Sequence, residues 1–364
     1  CDEPNVNVSL CDWSWKGTGL AYQLLAGPVY IVIFSISGIP LGLVTELHQI
    51  NRKVILVVCV LLWSFMTILG GLAKEYWHIA VTRFLLGIFS AGCVPFSISM
   101  IADLFPPVSR GAAIGFYNWG VYIGYSFTFL LLIAERTVGW RAVYFMAGIP
   151  GIIIGLVILL TVKDPPRGGE DSKQELKTAV HHFSDASLLL LCVGGALRNG
   201  AGFVWAYNIV IFFEEYHPGT NTEEWMTWIP LIFGSIGAFL GGYASDKLAS
   251  KSGVKGRMMI LILCVVISAP FQVGTLCLPM PWAFISHIPA YVIGEMWIGV
   301  CIAIVVDLVP VDLTASAVAV YFFIIQIIGG NMPLLVPPIA DMWGMQTALL
   351  ICFPGCYILG ALFF

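Results

Sequence analysis

Charge is what this chain has least of. Lysine, arginine, aspartate and glutamate make up only 10% of its 364 residues, where a soluble domain carries about 25%. So little charge cannot cover a soluble fold of this length, and a bilayer is the solvent that remains. The net charge of −4 gives no basis for nucleic-acid binding. Other absences narrow the chemistry. No Walker loop is present, so ATP is not the expected energy source. Gly38 to Gly42 follows no strand, which removes a dinucleotide fingerprint. His181 and His182 have no further ligands at metal spacing. No enzyme signature survives, and neither a cofactor nor a metal is expected.

Apolar residues are abundant. They make up 59% of the chain, and the mean hydropathy is +0.91. Eleven hydrophobic spans follow, near 20–44, 54–73, 77–104, 111–133, 142–162, 187–213, 226–248, 258–278, 282–309, 314–340 and 346–364. Each is close to the ~20 residues that a membrane helix requires. The fold expected is therefore an all-α polytopic membrane protein. Trp and Tyr gather at the span ends, among them Tyr76, Trp77, Trp140, Trp225, Trp282 and Trp343, as in interfacial belts.

Basic residues set the sidedness. One set of alternating loops holds eleven of them, including Arg52, Lys53, Lys163, Lys247, Lys251, Lys255 and Arg257; the other holds four. The richer set is expected in the cytoplasm. Residues 1–19 then lie outside. There Asn7-Val8-Ser9 is a glycosylation sequon, flanked by Cys1 and Cys11, a candidate disulfide. A free, unmodified loop is the alternative. The other eight cysteines fall in apolar segments and read as ordinary packing.

One motif occurs twice. Gly42 and Glu46 return as Gly242 and Asp246, and Arg52-Lys53 as Gly256-Arg257. Asp103-Leu104-Phe105-Pro106 returns as Asp307-Leu308-Val309-Pro310, with Ala113 and Tyr117 matched by Ala317 and Tyr321. Two like halves with paired charges at helix ends read as a two-bundle carrier. Superposing the halves leaves span 187–213 without a mate, whose place precedes Cys1. One N-terminal helix is thus expected to be absent from this chain, and two six-helix bundles to form the whole. The expected organisation is helices 2–6 in 1–162, a cytoplasmic linker at 163–186 and helices 7–12 in 187–364.

These motifs resemble the major facilitator superfamily over the whole chain. A finer resemblance is to the spinster family of lysolipid and sphingosine-phosphate transporters. It is carried by Thr82-Arg83-Phe84-Leu85-Leu86-Gly87, Ile101-Ala102-Asp103-Leu104-Phe105 and Asp164-Pro165-Pro166-Arg167-Gly168. That family typically places a proton-coupling Glu seven residues after the fourth-helix Arg, where this chain has Ser90. The resemblance alone implies a lipid among the substrates.

Charges inside spans carry weight by themselves, because each needs a partner or a wet cavity. Arg198 lies near the middle of its span, with Gly194, Gly195, Ala201, Gly202 and Trp205 on its side. Small neighbours leave room for a ligand and Trp205 offers a stacking face; a structural ion pair is the other reading. Arg83 suits an anionic headgroup, a cross-bundle pair, or snorkelling to the outer interface. Glu295, midway along 282–309, is a candidate proton carrier, alone or with His287, the repeat mate of Arg83. A fixed Arg198–Glu295 pair is the competing reading. Asn118, Tyr122 and Tyr125 form one polar stripe, and Phe322, Gln326, Gly329 and Pro333 a second, each facing a cavity or gluing helices. Glu46, Arg52, Asp103, Asp246, Arg257 and Asp307 suit a cytoplasmic gate of ion pairs or a solvated surface.

The expectation is a monomeric secondary carrier in the plasma membrane or a lysosomal or vesicular membrane. It would contact membrane lipids and move a small organic anion or amphipathic lysolipid by alternating access, with proton coupling at Glu295. A non-transporting receptor or scaffold of the same fold is the alternative; a channel is disfavoured by the paired gating loops.

Overall fold

The computed structural model describes residues 24–25, 27–47, 51–104, 107–163, 186–309 and 314–364. Among them, every regular element is helical. The chain divides into two compact units, residues 1–170 and 171–364.

The first unit holds α1 (Pro28–Leu47), α2 (Arg52–Gly71), α3 (Tyr76–Ser90), α4 (Cys93–Leu104), α5 (Pro107–Val138) and α6 (Trp140–Thr161). α2 lies along α6 and α3, and α1 packs on α3. Its core includes Leu56, Val60, Phe96 and Met100.

The second unit is built around α7 (Ala186–Tyr216). Leu188, Leu191, Ala196, Ala201, Val204, Ile209, Phe212 and Phe213 of α7 are all buried, whereas Leu189, Leu190 and Val193 are exposed. From 201 to 213 the buried residues recur at three- and four-residue spacing, so one face of α7 packs on its neighbours. Around it run α8 (Thr222–Ile229), α9 (Ser235–Ser252), α10 (Val254–Cys277), α11 (Trp282–Gly294), α12 (Trp297–Leu308), α13 (Thr314–Gly329), α14 (Val336–Trp343), α15 (Met345–Leu350) and α16 (Cys356–Phe363). One-turn π segments, Pro230–Gly234 and Ile351–Gly355, join α8 to α9 and α15 to α16.

Large apolar side chains cover the outside: Leu160, Phe239 and Leu362 are mostly exposed. In water such a surface would aggregate; against acyl chains it is the stable arrangement. Nine stretches among the described residues are long and apolar enough to cross a membrane. The sequence reading expects eleven. Two expected spans, 20–44 and 77–104, are not among the nine, which are counted over the described residues alone.

Two expected spans are broken at equivalent places. Ala91-Gly92 separates α3 from α4, and Glu295-Met296 separates α11 from α12. Next to the second break α9 comes very close. A β-carbon at Gly241 would lie 2.7 Å from the Met296 Cα, so only glycine permits this approach.

Candidate functional site

Arg198 is buried in the second unit with 2% of its side chain exposed. Its environment supplies what a guanidinium needs. Nη2 donates to the Gly294 carbonyl at 2.7 Å and to Glu295 Oε1 at 3.2 Å. The guanidinium carbon lies 4.1 Å from the Tyr357 ring centroid and 4.9 Å from that of Trp297. Carbonyls at a helix end lack an intrahelical donor, and Arg198 supplies one at the end of α11. Glu295 is less enclosed, at 25% exposed. Of the two readings open for Arg198 and Glu295, this conformation holds the ion pair.

Trp205 and His287 form a second buried contact. Trp205 Nε1 donates to His287 Nε2 at 3.3 Å. An indole N–H can only donate, so Nε2 accepts and the ring proton sits on Nδ1. Nδ1 is 3.4 Å from Thr275 Oγ1, whose hydroxyl serves the Phe271 carbonyl at 3.0 Å. The network is satisfied by a neutral imidazole joined to Trp205 rather than to Glu295. The face of Trp205 expected to receive a ligand is covered: it stacks on Phe353 at 4.9 Å and 4°.

Asn199, beside Arg198 on α7, donates from Nδ2 to Gln326 Oε1 at 3.1 Å and to the Ile325 carbonyl at 3.1 Å. In this structure Gln326 bridges α13 to α7. Gln272 on α10 is buried, and its Nε2 lies 3.4 Å from Ser268 Oγ. The sequence reading missed Gln272, Trp297 and Tyr357. A lone amide in an apolar span was the available signal for Gln272.

In the first unit Ser90 is neutral and engaged: Oγ donates to the Leu86 carbonyl at 2.7 Å and lies 3.2 Å from the Tyr30 hydroxyl. Arg83 lies two turns earlier on α3 and is partly buried. Tyr122 and Tyr125 are also partly buried on α5, Tyr125 meeting Phe129 edge-on at 5.3 Å. The side chain of Asn118 lies outside the described residues.

At one end of the second unit Arg257 binds two acids. Nη1 donates to Asp246 Oδ1 at 2.6 Å and to Ser245 Oγ at 3.1 Å, and Nε donates to Asp307 Oδ2 at 2.8 Å. One arginine thus ties α9, α10 and α12 together. Asp246 is 72% exposed and Arg257 only 15%. In the first unit, Arg52 is buried at the start of α2, where Asn51 caps the helix. The side chains of Glu46 and Asp103 lie outside the described residues, as do Cys1, Asn7 and Cys11. The eight described cysteines are free.

The model of the Major Facilitator Superfamily matches residues 14–330. A D-galactonate transporter of Escherichia coli O6:H1 is 24% identical, over 87% of this chain and 80% of its own length. The sphingosine-1-phosphate transporter SPNS2 of Danio rerio is also 24% identical, over 92% of this chain and 74% of its own. A solved bacterial homolog of the human lysosomal transporter Spinster, inward-facing and unoccupied, superposes with a TM-score of 0.76 at 21% identity, covering 94% of this chain and 86% of that one. These relatives support a transport role. The chain belongs to the Major Facilitator Superfamily, as a multi-pass integral membrane protein that resembles the superfamily's spinster-like members.

Proposed function

We propose that this chain is a secondary active carrier that moves a small organic anion or an amphipathic lysolipid by alternating access, coupled to protons at Glu295. The observation that carries the reading is the Arg198–Glu295 pair at the break between α11 and α12. A charge pair within the membrane is costly and is kept where function uses it. Arg198 supplies the positive site for a carboxylate or phosphate, and Glu295, the more exposed partner, supplies the proton site. Arg83, inside a span of the first half, is the second candidate cation, with Tyr122 and Asn118 as further candidates for substrate contact. His287 holds Trp205 in place, and Gln326 holds Asn199. Asp246, Arg257 and Asp307 form a latch within the second half, with Glu46, Arg52 and Asp103 as its counterpart in the first. Relatives that carry a sugar acid and a lysolipid phosphate support both substrate classes.

The test is uptake into proteoliposomes of radiolabelled D-galactonate and of sphingosine-1-phosphate, with and without an imposed proton gradient. Uptake of one of them, driven by the gradient, is expected. Arg198→Lys keeps the charge but loses the planar fork, and should cut transport by about tenfold or more at normal membrane yield. Saturable binding without flux would instead favour the receptor reading.

A further inference from the structure

Asn199 on α7 and Gln326 on α13 meet midway along spans 187–213 and 314–340. Chemistry fixes how the two amides are turned. The Ile325 carbonyl can only accept, so the Asn199 amide nitrogen is the atom 3.1 Å from it. The same nitrogen donates to Gln326 at 3.1 Å, and Oε1 is the atom of that amide able to accept. Both hydrogens of Asn199 Nδ2 are then used. What is left is an acceptor, Asn199 Oδ1, and a donor group, Gln326 Nε2. Neither has a hydrogen-bond partner among the described residues.

The two amides are held closely. A β-carbon at Gly329, one turn after Ile325, would lie 2.8 Å from the Gly200 nitrogen and 3.1 Å from Asn199 Nδ2. Only glycine lets α13 come this near to α7. Asn199 and Gln326 are both partly exposed. Hydrocarbon offers an open amide edge nothing at this depth, so the edge needs water or a ligand.

The open groups define the ligand group that fits them. An ionised carboxylate or a fully ionised phosphate only accepts; it would serve Nε2 and set oxygen against Oδ1. An ammonium only donates and would leave Nε2 unfilled. A hydroxyl does both. We infer that Asn199 and Gln326 form a hydroxyl-reading subsite: a substrate hydroxyl donates to Asn199 Oδ1 and accepts from Gln326 Nε2. The inference rests on the anion-carrier reading above and adds what the carrier selects, a hydroxylated anion over the same anion without that hydroxyl. Sugar acids and lysolipids both carry a free hydroxyl, so either can present it.

The test measures binding to purified full-length protein in nanodiscs with two matched sets of radiolabelled probes. One is gluconate with its monodeoxy analogues. The other is lysophosphatidate with its 2-deoxy analogue, which lacks the free glycerol hydroxyl. In one set, wild type should bind the parent about tenfold or more tightly than a deoxy analogue, as two neutral hydrogen bonds to one hydroxyl imply. The set that shows this identifies the source of the hydroxyl. Gln326→Met keeps the length of the side chain and removes the donor; it should bring the ratio of parent to deoxy affinity to about one. Asn199→Leu removes the acceptor and is a second, independent variant with the same expectation. A wild type that binds every deoxy analogue as tightly as its parent, or variants that keep the wild-type ratio, overturns the subsite and leaves the anion carrier standing. If no probe binds wild type, the anion reading falls and the subsite with it.

Discussion

Arg198 finds a carbonyl, a carboxylate and two aromatic rings within reach. The sequence made part of this legible. An arginine and a glutamate, each midway along an apolar span, must be paired or wet, and their pairing was one of two readings open. The Gly294 carbonyl, Trp297 and Tyr357 were not legible, because these contacts cross between helices far apart in sequence. The same holds for Trp205. Spacing put it on the Arg198 side of α7, yet its ring lies on Phe353 and its N–H serves His287. Trp205→Phe keeps an aromatic ring for stacking and loses one neutral hydrogen bond, so it should cost about 1 kcal/mol. Trp205→Ala should cost about 3–5 kcal/mol. Thermal unfolding in detergent measures both, and equal losses would remove the stacking argument.

Among the elements, the broken helices matter most. Hydropathy reads 77–104 and 282–309 as continuous spans, because an interruption of two residues barely alters a window of about 19 residues. The first break has a local cause: Pro95 has no N–H to give the Ala91 carbonyl. The second has a tertiary one. Arg198 occupies the Gly294 carbonyl, and Gly241 lets α9 press against the backbone at Met296. Gly241→Leu should therefore push α9 away from the break at a cost of about 1–3 kcal/mol or more. It should also weaken transport, since Glu295 is positioned by the same turn. Melting temperature and proteoliposome uptake, read together, check this. A variant with normal stability and normal uptake would show that the approach has no consequence for the site.

For the molecule as a whole, the scarcity and placement of charge made most of the architecture readable. The all-helical, multi-pass character follows from hydropathy. The internal wiring of each half was less readable. The gate was expected from repeated acids and bases at helix ends; in the second unit, Arg257 binds Asp246 and Asp307, all in that unit. Such a latch ties helix ends within a half, so loosening it should change how easily that half reshapes. Asp246→Asn removes one charge from the more exposed arm and should shift the balance of inward and outward states in cysteine-accessibility labelling. Because Asp246 is mostly exposed, the effect on stability should be small, under ~1 kcal/mol.

The breaks at Ala91-Gly92 and Glu295-Met296 stand 204 positions apart (295 − 91 = 204), the offset that carries Asp103 onto Asp307 and Tyr117 onto Tyr321. The first is lined by serine and tyrosine hydroxyls, the second by an ion pair. Both halves keep the bend, and in this chain only one of the two pivots carries a charge pair that can respond electrically.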